Sequence, residues 1–149
     1  MRPLVIGTGV AGTVAALALQ KAGFEPVLFE AYEESAGLAQ GVFLTVAVNG
    51  IDALRTVDAH EHVLTRGFPS RDITFYSGSG RRLGVVPLGP TRPDGLVTHT
   101  IRRADLYGGL LEEVRRRGIP VHHGKRLVGV QPRAGGVRAR VRRRRQRRG

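Results

Sequence analysis

The chain has 149 residues, with 24 Lys and Arg against 12 Asp and Glu, a formal net charge of +12 and no cysteine. Its length suits one ordinary domain, and the missing cysteines exclude disulfides and thiolate metal sites. The charge is uneven: residues 133–149 carry nine arginines and no acid, while residues 1–132 are nearly balanced, with 15 basic and 12 acidic side chains. No uninterrupted apolar run approaches the roughly 18 residues that a membrane-spanning helix requires.

The chain opens on the apolar run Pro3-Leu4-Val5-Ile6, followed directly by Gly7-Thr8-Gly9-Val10-Ala11-Gly12. Arg2 and the apolar stretch up to Leu19 have the outline of a secretory leader, but the glycines fall where a phosphate turn needs them. The segment therefore reads as folded core and the protein as cytoplasmic. From Val10 to Ala22 the apolar residues Val10, Val14, Leu17 and the set Ala15, Ala18, Leu19 and Ala22 keep a helical spacing that Gly23 stops. Residues 26–29 then form a second strand that ends in Glu30.

Strand, glycine turn, helix and an acid-terminated strand make a dinucleotide-binding fingerprint. Gly7 turns the chain out of the strand, Gly9 lets a diphosphate approach the backbone, and Gly12 lets the helix lie close on the sheet. Val10 and Ala11 open the helix, whose N–H groups and positive dipole end face the diphosphate. Glu30 offers two acceptor oxygens to the ribose hydroxyls.

Residues 41–50, GVFLTVAVNG, read as a strand closed by an Asn-Gly turn, with helical spacing resuming from Ile51 to Val57. Ile73–Tyr76 and Arg82–Val86, joined by Ser77-Gly-Ser-Gly80, form a hairpin. Residues 87–95 are a loop rich in Pro and Gly. Leu106, Leu110, Leu111 and Val114 mark an amphipathic helix from Asp105 to Arg117, stopped by Gly118. Ile119–His122 and Leu127–Val130 are two further short strands. Alternating strands and helices give an α/β class, a Rossmann-like FAD/NAD(P)-binding fold with an inserted β-hairpin. The five histidines read as surface or packing residues: His122 and His123 point to opposite faces, and His60-Glu61-His62 lacks a third ligand at metal spacing, so no metal is expected.

At Thr100-Ile-Arg-Arg-Ala-Asp-Leu106 the sequence carries more than a dinucleotide turn. Together with GTGVAG, Glu30, residues 41–57 and the run RRGIPVHHGKRLVGV, it resembles the N-terminal part of the FAD-dependent aromatic-hydroxylase family of flavoprotein monooxygenases, over residues 1 to about 131. The resemblance implies FAD as cofactor, NAD(P)H and oxygen as co-reactants of the complete enzyme, and an aromatic or related small-molecule substrate. It also implies that Arg103, of Arg103-Ala-Asp-Leu106, lies beside the flavin dinucleotide, with Arg102 as its near neighbour. No catalytic residue is nominated, because in this chemistry the protein positions and encloses the flavin.

Two departures from the family accompany the match. Residues 31–40 lack the basic residue that relatives often carry after the second-strand acid, leaving Gln40 as the donor there. The family continues beyond Leu127–Val130 into another hairpin, an Asp-Gly run, a Gly-Asp motif and a substrate-binding sheet. Residues 133–149 show none of these, and the arginine-rich tail is expected to be disordered, the product of a shifted reading frame or a truncation, which leaves the fold C-terminally incomplete. A free-standing NAD-binding module is one alternative reading. Adhesion of the basic tail to nucleic acid or another anionic surface is the other, with no specific nucleic-acid or membrane partner expected.

Overall fold

The computed structural model describes residues 2–35 and 41–143, which divide into two compact units. The first comprises residues 1–40 and 107–149, and the second residues 41–106.

In the first unit, β1 (Leu4–Ile6), β2 (Val27–Phe29) and β8 (Val121–His122) form a parallel sheet in the order β1-β2-β8, with Leu4 opposite Val27 and Leu28 opposite Val121. Helix α1 (Val10–Lys21) makes the crossover from β1 to β2. It ends where Gly23 takes a φ of +85°, and the N–H groups of Ala22, Gly23 and Phe24 close its last turn on Ala18, Gln20 and Leu19. Leu28, fully buried in the middle strand, packs in a core with Ala16, Leu17, Leu110, Leu111, Val114 and Ile119. Each of the Leu, Ile and Val side chains among them contributes about 1.5–3 kcal/mol of burial.

The buried stripe of α1 is Thr13, Ala16 and Leu17, whereas Ala15, Ala18 and Ala22 are exposed. The spacing alone did not select this face, because the helix is apolar almost all round and only the sheet decides which side is covered.

The helix expected over 105–117 is α4 (Arg103–Arg116), whose residues from Tyr107 onward belong to the first unit. Gly118, at a φ of +69°, ends it, and the side-chain amide of Gln20 donates to the Arg117 carbonyl at 3.0 Å.

The C-terminal region departs from the expectation of disorder over 133–149. Strand β9 (Lys125–Arg133) pairs antiparallel with β10 (Gly136–Arg143), with a bulge between Arg140 and Val141. The turn is made by Ala134 and Gly135, the latter at a φ of +76°. Val137, Ala139 and Val141 alternate with Arg138, Arg140 and Arg142, a period-two pattern that a ribbon accommodates by sending alternate residues to opposite faces. Ala139 and Val141 are half-buried, while the arginines of the other face are exposed, so their repulsion is relieved by solvent. Residues 136–143 are therefore a paired strand and not a disordered tail. Residues 144–149 lie outside the described residues.

In the second unit, β3 (Phe43–Val46), β7 (His99–Arg102) and β4 (Phe68–Pro69) form an antiparallel sheet in the order β3-β7-β4. The expected hairpin is β5 (Asp72–Tyr76) with β6 (Arg82–Pro87), closed by the Ser77 N–H donating to the Arg81 carbonyl at 2.8 Å. Helices α2 (Val48–Thr56) and α3 (Glu61–Arg66) bury Ile51, Leu54 and Val63 alongside Ile101. Asn49-Gly50 is not a turn but part of the first turn of α2, where backbone N–H groups have no intrahelical acceptor and the Asn49 side chain accepts from Gly50 N–H at 2.9 Å.

Candidate dinucleotide site

The glycine turn sits between β1 and α1 in the first unit. Gly7, at a φ of +96°, ends the strand and donates its N–H to the Phe29 carbonyl at 2.8 Å, tying the turn to the end of β2. Gly9 is the N-cap of α1, and a Cβ built on it would meet no atom within 4 Å. Gly12 is the opposite case: a Cβ there would stand 1.9 Å from the Gly7 carbonyl oxygen. One glycine keeps the ground above the helix open, and the other lets the helix seat against the turn.

No side chain caps α1, and its first turn contains no acid. Val10 and Ala11 open the helix, and the Thr13 hydroxyl turns away to donate to the Gly9 and Val10 carbonyls, both at 3.0 Å. The positive end of the helix dipole is thus left for an outside anion.

Glu30, at the end of β2, accepts from the Thr8 N–H at 2.9 Å and the Thr8 hydroxyl at 3.1 Å, both on Oε2, and from the Tyr32 N–H at 3.0 Å on Oε1. Burial pushes its pKa up, but the backbone bonds from Thr8, Tyr32 and Ala31 and the Thr8 hydroxyl together outweigh that and hold it below the usual carboxylate value. The group is an ionised acceptor at neutral pH. The fully buried Thr8 hydroxyl also lies 3.0 Å from the hydroxyl of buried Tyr107 on α4.

Gly7, Gly9, Val10, Ala11, Gly12 and Glu30 are therefore gathered at one end of the parallel sheet. Arg103 belongs to the second unit, where its N–H donates to the Val42 carbonyl at 3.0 Å and its methylenes cover Gly41. Arg102 is engaged with Asp105 through Nε at 2.6 Å and Nη2 at 3.1 Å. Gln40 lies outside the described residues.

Sequence reasoning passed over Thr8 and Tyr107. Tyr107 falls three and four residues before Leu110 and Leu111 on the buried stripe of α4, and a hydroxyl on such a stripe has to find a polar partner. That demand was the available signal. Of the histidines, His122 packs its ring 5.1 Å from that of Phe29, and His60 pairs with Glu61 at 3.2 Å. Among the described residues no group of three or more His, Cys, Asp or Glu is placed to hold a metal ion.

The donor set fits a dinucleotide diphosphate and ribose: open ground at Gly9, an uncapped helix end and an ionised carboxylate at the next strand. Fold and site together define a Rossmann-like dinucleotide-binding protein. Residues 1–149 match the family model described as FAD binding domain, and the chain belongs to that family.

Its relatives are flavin monooxygenases. The chain is 26% identical over 136 residues to kynurenine 3-monooxygenase of Saccharomyces cerevisiae, covering 85% of this chain and 28% of that protein. It is 32% identical over 114 residues to the 2-heptyl-3-hydroxy-4(1H)-quinolone synthase of Pseudomonas aeruginosa PAO1, covering 75% and 28%. Among solved structures, Klebsiella pneumoniae HpxO complexed with FAD and uric acid superposes with a TM-score of 0.79 at 27% identity, over 93% of this chain and 34% of that one. The likeness thus extends beyond residue 131 and assigns FAD, in preference to NAD, as the dinucleotide. The chain spans little more than a quarter of the length of the curated relatives it matches. Among the described residues no helix is long and apolar enough to cross a membrane.

Proposed function

We propose that this chain holds the adenosine and diphosphate end of FAD in an FAD-dependent monooxygenase that uses NAD(P)H and oxygen to hydroxylate an aromatic or related ring compound. The observation that carries this reading is the conjunction of the open Gly9 turn at the uncapped start of α1 with the ionised Glu30 carboxylate. When bound, FAD supplies the redox chemistry, passing electrons from NAD(P)H to oxygen.

The chain's own residues bind and orient. The helix end opened by Val10 and Ala11 offers backbone donors to the diphosphate, Gly9 permits the approach, and Gly12 keeps the turn against the helix. Glu30 accepts from ribose hydroxyls and, being anionic, disfavours a phosphate at that position. Arg103 is assigned to the flavin dinucleotide by its place in Arg103-Ala-Asp-Leu106. The names of the relatives, with kynurenine and a quinolone, and the uric acid in HpxO support a small ring compound as substrate. A cytoplasmic location belongs to the same reading, since NAD(P)H is the reductant it requires.

Isothermal titration of the chain with FAD, ADP and FMN tests the assignment. FAD and ADP are expected to bind and FMN not, because FMN lacks the adenosine that these residues read. Preference for FMN overturns it.

A further inference from the structure

The hydroxyl of Thr8 has one proton, and it goes to Oε2 of Glu30 at 3.1 Å. In the 3.0 Å contact between Thr8 and Tyr107 the phenol is therefore the donor. The result is a directed chain, Tyr107 to Thr8 to Glu30, that joins α4 to the glycine turn and ends on a carboxylate. Thr8 places both its N–H and its hydroxyl on Oε2, the Tyr32 N–H is on Oε1, and the Ala31 N–H adds a further bond to the carboxylate.

We propose that Tyr107 is a positioning residue of the dinucleotide site, whose hydroxyl, acting through Thr8, holds the Glu30 carboxylate in the orientation in which it meets the ribose. The inference rests on the FAD reading given above. Packing does not explain the hydroxyl: Tyr107 lies on the same buried helix stripe as Leu110 and Leu111, where a phenyl ring fills the space equally, and a buried hydroxyl is a cost unless it is bonded. A chain of hydrogen bonds ending on a charged acceptor is strengthened along its length. Without the phenol, the Thr8 hydroxyl loses the partner that fixes its rotation, and Glu30 loses an aligned donor.

The test compares Tyr107→Phe, Thr8→Val and Thr8→Ser in the full chain, by ADP titration and by NMR titration of the Glu30 carboxyl without nucleotide. Tyr107→Phe is expected to weaken ADP binding roughly 3- to 10-fold, the scale of one net hydrogen bond, and Thr8→Val to weaken it further. Thr8→Ser, which keeps the hydroxyl, is expected to stay near wild type. The Glu30 carboxyl should titrate at higher pH in Tyr107→Phe and Thr8→Val, and thermal unfolding of Tyr107→Phe serves as the folding control. If wild type binds ADP and Tyr107→Phe changes neither affinity nor the Glu30 titration, the proposal is overturned. If wild type does not bind ADP, the FAD reading fails and the ribose role with it, while a shifted Glu30 titration still supports the hydrogen-bond chain.

Discussion

The carbonyl oxygen of Gly7 lies 1.9 Å from where the Cβ of any other residue at position 12 would stand. Because that oxygen is backbone, it cannot swing aside, and Gly12→Ala must push the helix off the turn. A loss of about 3 kcal/mol is expected from such overpacking, read as a lowered midpoint in thermal unfolding. Gly9→Val should behave in the opposite way: its side chain enters open space, so the melting point stays near wild type while FAD is no longer retained on purification. Full flavin occupancy in Gly9→Val would show that the diphosphate does not lie over this turn.

Replacing Glu30 removes the ribose acceptor. Glu30→Ala is expected to weaken ADP binding by about 10-fold or more, since hydrogen bonds to charged groups are worth about 1.5–3 kcal/mol. His122→Ala, which trims a ring packed on Phe29, should leave the affinity unchanged. Titration calorimetry of the two variants side by side separates loss of the acceptor from general loosening of the β2 end.

Glu113 gives a pH dependence. The Arg116 side chain is the main cause of its pKa falling from 4.5 to about 2: Arg116 donates from Nε at 2.8 Å and Nη2 at 2.6 Å, and Arg117 adds Nε at 2.6 Å. A carboxyl whose folded pKa is depressed adds stability that is present above 4.5 and lost as the pH falls toward 2. Urea unfolding should show this acid-side loss, and Glu113→Gln should flatten that part of the profile. An unchanged profile in the variant would mean that the pair contributes nothing measurable.

The β9–β10 ribbon predicts resistance to trypsin despite its arginines. Cleavage at Arg138 and Arg140 should be slow in the folded chain, because both lie in a paired strand. Gly135→Val forces a branched residue to a φ of +76°, at a cost of about 1–2 kcal/mol, and should speed those cuts. Mass spectrometry of timed digests reads the sites directly. Cleavage of the wild type at Arg138 as fast as in urea would contradict the pairing.

Much of the candidate site is legible in the sequence, because its parts are local. A turn out of a strand, a close backbone approach and a strand-end acid each depend on a few neighbouring residues, and Gly7, Gly9, Gly12 and Glu30 could be named from spacing. The β5–β6 hairpin was legible for the same reason, as alternating residues on both sides of a glycine-rich turn. Residues 136–143 were misread because charge outweighed the alternation of arginine with Val137, Ala139 and Val141, and Asn49-Gly50 because the same pair suits a turn and an uncapped first helical turn.

The amino-acid sequence by itself determined that strand, glycine turn, helix and acid follow one another at dinucleotide spacing, since these features are written within about 30 consecutive residues. Only the tertiary structure decided which face of α1 is buried, that β10 pairs with β9, and that Tyr107 reaches Thr8 across 99 positions of sequence. Those outcomes depend on which distant surfaces meet. Spacing along a chain sets the hydrogen bonds and dihedrals available locally, but the contact between Tyr107 and Thr8 exists only once the chain has folded to bring the two together.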